Sequence, residues 1–290
     1  MGERSLEHVV RHIRGLAQVP PDGDSTDAQL LERYVACRDE AAFAALARRH
    51  GKLMRGVCRH VLRSEEDVDD AVQATLLVLA RKAGSIRKRT ALGSWLHGVA
   101  YRISLNASKM ALRRQAYEKH GRSPLPAGPV SEAALHELQA MLDEEVERLP
   151  EKLRAPFVLC CLEGMSKGDA AHELGWKEGT VSGRIARARE RLRQCLARRG
   201  IELSAALCAT ALAPDISAAE WSVTRVRDIL ANATGSASNV SDQVTALSNG
   251  AIRCMSLNHF KAGLAVLGVL IVLAAGVGLS LARQGSVTKN

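Results

Sequence analysis

Aromatic residues are scarce: three each of Phe, Tyr and Trp in 290 residues, 3% of the chain. A core must therefore come from Val, Leu, Ile and Ala, and with helix formers recurring throughout, the sequence predicts an all-α protein. Seven cysteines include no CxxC pair and no zinc-like Cys/His spacing, which argues against a disulfide framework or a metal site and for reduced thiols. His8 and His12 stand one helical turn apart, too few ligands by themselves for a metal. No glycine-rich phosphate loop, activated nucleophile or metal cluster stands out, so neither an enzyme nor a cofactor is expected. The first thirty residues lack an apolar segment, and no secretory leader is expected.

Positive charge is what the chain does have. A formal charge of +9 and a pI near 9.4 favour an anionic partner, either nucleic acid or a membrane surface. Residues 1–200 hold 34 Lys/Arg against 26 Asp/Glu, whereas 201–290 hold six against five. Anion binding is thus expected in the first two thirds.

The stretch 166–196 reads as two helices joined by a tight turn. Ser166 can cap the first, Ala170, Ala171 and Leu174 give it an apolar side, and Gly175 stops it. In the second, Val181, Ile185, Ala188, Leu192 and Cys195 recur in steps of four and three, one buried stripe of a helix. Ser182, Gly183, Ala186, Arg187 and Arg193 fall on its outer face, with Thr180, Arg184, Arg189 and Arg191 beside the stripe. From Lys177 to Gly200 there are eight Lys/Arg against two Glu. A short helix, a glycine turn and a basic second helix make a helix-turn-helix, whose second helix enters the major groove. The bland alternative is a solvated basic face.

Residues 1–25 form a turn-rich lead-in. Thr26 and Gln29 give a capping box for a helix with Leu30, Leu31, Tyr34 and Val35, and a second helix is expected from Glu40 to Leu62. Ser64 caps the next, Glu65, Glu66 and Asp67 fill its first turn, and Val68, Ala71, Val72, Thr75, Leu76 and Leu79 keep helical spacing. Asp69, Asp70 and Gln73 remain on its polar side. Ser85–Ser94 is a basic loop, and Trp95-Leu96 opens a helix that runs out into Lys109, Arg113 and Arg114. Prolines and glycines break the pattern over 120–130, a linker. Beyond it come a helix with Leu135, Leu138, Met141, Leu142 and Val146, and an apolar one over 153–162.

The last ninety residues hold a short apolar run at 203–213, a capping box at Ser217 and Glu220, and a Ser/Asn-rich stretch from Ala233 to Gly250 that reads as a flexible linker. Ala262 to Ala282 is 21 residues without charge, bracketed by Lys261 and Arg283. At about 1.5 Å per residue such a helix crosses a hydrocarbon core of ~30 Å, so a transmembrane helix is expected there, with a short tail at 283–290.

Asp67-Val-Asp-Asp-Ala-Val-Gln73, Trp95-Leu96, Leu149-Pro-Glu-Lys152, and Glu178-Gly-Thr-Val181 running into Arg184-Ile-Ala-Arg-Ala-Arg-Glu-Arg-Leu192 resemble an extracytoplasmic-function sigma factor of bacteria. The likeness covers residues 27–200. It implies a region 2-like domain at 26–119 and a region 4-like domain at 131–200, joined by the linker, with an extension at 201–261 before the transmembrane helix. It further implies that Asp67, Asp70 and Gln73 dock on the coiled coil of the largest subunit of core RNA polymerase. By the same resemblance, Arg87, Lys88, Arg89, Trp95, Arg102 and Asn106 take the opened −10 element of promoter DNA. Thr180, Ser182, Gly183, Arg184 and Arg187 read the −35 element as duplex. Lys177 stands where a Ser, Pro or Asp usually starts the recognition helix, Arg102 where Asn is common, and Ala74 and Leu76 where an acid and Phe are.

Together these readings give a membrane-tethered sigma factor, its cytoplasmic domains anchored to the inner membrane by a single C-terminal span through 262–282. The extension would hold it there until a signal or a protease releases it, and an anti-sigma factor is a further partner to be sought. The alternative is a membrane-anchored one-component helix-turn-helix regulator that does not dock on polymerase. Promoter sequence and inducing signal are not legible.

Overall fold

A computed structural model describes residues 25–118, 130–211, 223–233 and 241–253. These are helical almost throughout, and three helices begin at the expected caps Thr26, Ser64 and Ser166. Helix α1, Asp27–Cys37, starts at the Thr26/Gln29 capping box with both reciprocal bonds formed, and ends at Arg38 in the left-handed conformation. Asp39 then caps α2, Glu40–Val61, through the backbone of Ala41 and Ala42. Ser64 caps α3, Glu65–Lys82, where three carboxylates in the first turn meet the positive end of the helix dipole. The basic stretch that follows holds two 3-10 turns, Ala83–Ser85 and Arg89–Ala91, and α4 begins at Leu92 and runs to Glu118.

Helix α5, Val130–Arg148, leads into the short α6, Glu151–Phe157. Pro156 cannot donate to a carbonyl one turn back, and just beyond it the helix widens into a π-helical turn, Val158–Leu162. Helices α7, Lys167–Leu174, and α8, Glu178–Ala197, follow; Ser166 caps the first, and Gly175 at φ 66° closes it. Next come α9, Leu203–Ala211, and α10, Val223–Ala233. Residues 242–253 form a further helix, α11. The flexible linker expected over 233–250 is therefore corrected in its second half: Val244, Leu247, Ser248 and Ala251 bury one side of α11, and packing overrides a composition of poor helix formers.

One apolar cluster runs through α1 to α4 and takes in Leu142, Val146 and Leu149 of α5, Phe157 of α6, and Ala188, Leu192 and Leu196 of α8. A smaller one joins Ala155, Leu159, Ala170, Ala171, Leu174, Val181 and Ile185 beneath the α7–α8 pair. Leu196, not Cys195, ends the buried stripe of α8. The helices on either side of residues 120–130 thus share a core.

The transmembrane part of the expected fold, and the inner-membrane location drawn from it, are corrected. Among the described residues no helix is long and apolar enough to cross a membrane. The longest, α4, has 27 residues but carries Arg102, Lys109, Arg113 and Arg114, charges that a hydrocarbon core does not accept without compensation. The stretch 262–282 lies outside the described residues, as do the lead-in to residue 24, residues 119–129, and the Ser217–Glu220 capping box.

Candidate nucleic-acid interface

Helix α8 presents its N-terminal half outward. Thr180, Gly183 and Arg187 are exposed, Ser182 and Arg184 half-buried, while Val181, Ile185 and Ala188 face the core on the other side. Arg184 lies over the Trp176 ring, 3.9 Å from its centroid, a cation–π contact that fixes the guanidinium at the start of the helix. One turn further, Arg187, Arg191 and Arg198 line an open hollow with Glu190 and Gln194. Lys177 forms the N-cap without a side-chain bond. The backbone donors of the first turn are left to solvent or to an anion. This is an exposed basic surface of a kind that suits a polyanion.

The residues expected at the −10 element are less free. Arg87 and Lys88 are exposed, Arg89 lies 3.9 Å from Glu32, and Trp95 is half-buried. Arg102, by contrast, donates to Glu147 Oε1 at 2.6 Å, while Arg154 bonds Glu147 Oε2 at 2.7 Å and Ser94 Oγ at 3.0 Å. Gly98 makes this approach feasible, since a Cβ there would lie 2.6 Å from Glu147 Oε2. The α5–α6 corner is therefore clamped onto the first turns of α4.

Two buried histidine–carboxylate groups, which no sequence motif announced, reinforce the same junction. His50, wholly buried, has Asp27 Oδ2 at 2.7 Å from Nε2 and Glu163 Oε1 at 2.6 Å from Nδ1. Burial opposes charge on this ring, but the two carboxylates prevail and hold its pKa well above the ordinary value, so it carries both protons. Burial likewise disfavours the Asp27 carboxylate, yet His50 and Arg49 keep its pKa low. Glu173 of α7 accepts the Asp27 backbone N–H at 2.7 Å, and burial beside Asp27 pushes its carboxyl up to about 7. In the second group Asp143 takes His60 Nδ1 at 2.6 Å and His97 Nε2 at 3.0 Å. Buried though it is, those two rings lower its pKa. The partners lie 46 and 83 residues apart in sequence. Their only sequence signal is a histidine on an otherwise apolar helix face.

The acidic residues of α3 sit together at its N-terminal end, Glu65 and Glu66 exposed and Asp67, Asp69 and Asp70 half-buried. Asp69 is paired with Arg55. Asp67 accepts from Gln243 of α11 at 3.2 Å, with Arg114 at 3.7 Å. Partial burial raises the Asp70 pKa, and the neighbouring carboxylates of Glu66, Asp67 and Asp69 raise it further. Gln73, one turn on, shares their half-buried setting.

Comparison with known proteins separates the possible helical DNA binders. The Sigma-70 region 2 family matches residues 46–117 and the Sigma-70, region 4 family residues 139–192. The ECF RNA polymerase sigma factor SigM of Mycobacterium tuberculosis (strain H37Rv) is 40% identical over 175 residues, 60% of this chain and 86% of that protein. The chain belongs to the ECF sigma factor family. The ECF RNA polymerase sigma-E factor of Haemophilus influenzae is 31% identical over 57% of this chain and 92% of its own length. The crystal structure of the sigma factor RpoE of Bartonella quintana with the anti-sigma factor NepR matches 51% of this chain and 92% of that one. Identity there is 22% and the TM-score 0.25, too low to relate the two arrangements. In this sigma factor the acidic end of α3 and the clamped face of α4 fall in the region 2 match, and α7 with most of α8 in the region 4 match.

Proposed function

We propose that this sigma factor binds core RNA polymerase and directs it to promoters by holding the −10 and −35 elements on separate faces, acting as a specificity subunit and not as an enzyme. Asp67, Asp70 and Gln73 dock on polymerase. Arg87, Lys88, Arg89, Trp95, Arg102 and Asn106 hold the opened −10 strand, for which positive charge with an aromatic side chain suits unpaired bases. Thr180, Ser182, Gly183, Arg184 and Arg187 enter the major groove of the −35 element, with the arginines beyond holding phosphates. Residues 26–119 and 131–200 carry these two halves.

The observation that supports this most is the exposed N-terminal half of α8, with Thr180, Gly183 and Arg187 outward over a fully buried opposite stripe. An electrophoretic mobility assay with promoter duplex tests it. Arg187→Ala is expected to weaken binding, whereas Arg63→Ala, exposed outside the proposed faces, should leave it unchanged. Equal loss from both would reduce the surface to non-specific charge.

A further inference from the structure

Helix α3 is buried in a way that its own domain does not explain. Every residue from Ala74 to Ala80 is buried. Seven consecutive residues point in all directions round a helix, so this half of α3 has no solvent side. Helices α2 and α4 cover one flank, and α10, from the C-terminal extension, packs along α3 and α2 as well. Val226, Ile229 and Leu230 of α10 and Val244, Leu247 and Ala251 of α11 join the main core.

Polar contacts fix the register. Asp67, Ala74 and Arg81 are seven apart and share one stripe of α3. At its N-terminal end Asp67 accepts from Gln243, which also takes Arg114 at 3.1 Å. At its far end Arg81 donates to Asn232 at 3.0 Å, Asn249 at 2.9 Å and Ser248 at 3.3 Å. Ala74 between them is fully buried. Gly250 lies against Asn106, so closely that a Cβ would meet its Nδ2 at 2.9 Å. The extension therefore touches both Asp67 and Asn106, one residue from each face assigned to region 2.

We propose that residues 223–233 and 241–253 are an intramolecular competitor of polymerase, a cap on the stripe of α3 that starts at Asp67, displaced when core polymerase binds. The inference rests on the reading that the acidic end of α3 docks on polymerase. The occupant is a segment of this chain, so its local concentration does not fall on dilution, and a small contact suffices to compete. Polymerase affinity is then set by an equilibrium between capped and open forms, and the measured value is weakened by the fraction capped.

The test measures affinity of the full chain for purified bacterial core polymerase, labelled and titrated in solution. Leu247→Asp places a charge in the α11 contact, and Gly250→Leu wedges the same helix off Asn106 without burying a charge. Far-UV circular dichroism and promoter-duplex binding check that the rest of each variant is folded. Both variants should bind core at least about tenfold more tightly than the unaltered chain, and adding Asp70→Lys should abolish that tight binding. Unchanged affinity in both, with Asp70→Lys still weakening each, would overturn the cap and leave the docking face standing. Asp70→Lys without effect in any background would overturn the docking reading, and the cap with it.

Discussion

Glu173 joins α7 to the start of α1 at a single hydrogen bond, and its proton makes that bond pH-dependent. With a carboxyl near 7 against an ordinary 4.5, it holds a proton in the folded chain that the unfolded chain releases. Its contribution is complete below 4.5 and lost as pH rises through about 7. His50 has the same sign: its contribution is full below 6.5 and lost above, as pH climbs through its raised folded value. Asp27 and Asp143 have the opposite sign and weaken the junction only as pH falls below 3.8. Stability is therefore expected to fall between pH 4.5 and 7. Glu173→Gln can still accept the Asp27 N–H but cannot ionise. Thermal melts across that range should decline less steeply for the variant than for the natural chain, and parallel curves would contradict the assignment. Gly98 is the second telling residue. A methyl there collides with a carboxylate held by Arg102 and Arg154, so Gly98→Ala should destabilise by about 1–3 kcal/mol in urea titrations. In a double-mutant cycle the Gly98→Ala penalty should be much smaller in the Glu147→Ala background, because the colliding group is gone.

At the scale of elements, α8 shows a helix tuned for contact more than for its own stability. Gly183 has open space around it and ordinary helical backbone. Gly183→Ala should stabilise the protein by about 1 kcal/mol by chemical denaturation. Lys177→Asp would supply the missing cap and add about 1 kcal/mol, at the expense of placing a carboxylate where DNA phosphate is proposed to lie. In salt titrations of duplex binding, Arg187→Ala should lower the slope by about one if the guanidinium sits on a phosphate; an unchanged slope with altered sequence preference would assign it to a base edge. Much of the α7–α8 pair was legible in advance: the cap at Ser166, the stop at Gly175, and a stripe stepping by four and three are local chemistry. Helix α11 was not legible, because a dozen residues in which Val, Thr, Ser, Asn and Gly interrupt the helix formers adopt a helix only when Val244, Leu247 and Ala251 find a core made by distant segments. For the same reason the acidic face of α3 could be found from its spacing but its intramolecular partner could not. The span over 262–282 was inferred from hydropathy alone, and no described helix has that character.

For the molecule as a whole, the described chain is closed. Glu147 holds Arg102 of the proposed −10 face and Gln243 holds Asp67 of the proposed polymerase face, while Arg87, Lys88 and the outer surface of α8 stay exposed. The buried His50 and Asp143 groups explain how this state is kept: each joins helices on both sides of residues 119–129, and removing one partner of a buried charge group typically destabilises by about 3–5 kcal/mol. On the proposed assignment of these faces, a transcription complex exchanges these internal contacts for polymerase and DNA. Run-off transcription tests the sigma assignment most directly, with the full chain and the Leu247→Asp variant each at saturating concentration on bacterial core polymerase and genomic fragments. Transcripts starting a fixed distance from a shared two-part promoter, and lost on Asp70→Lys, are the predicted result. Core polymerase that starts nowhere new with either chain, although both bind duplex DNA, would contradict it.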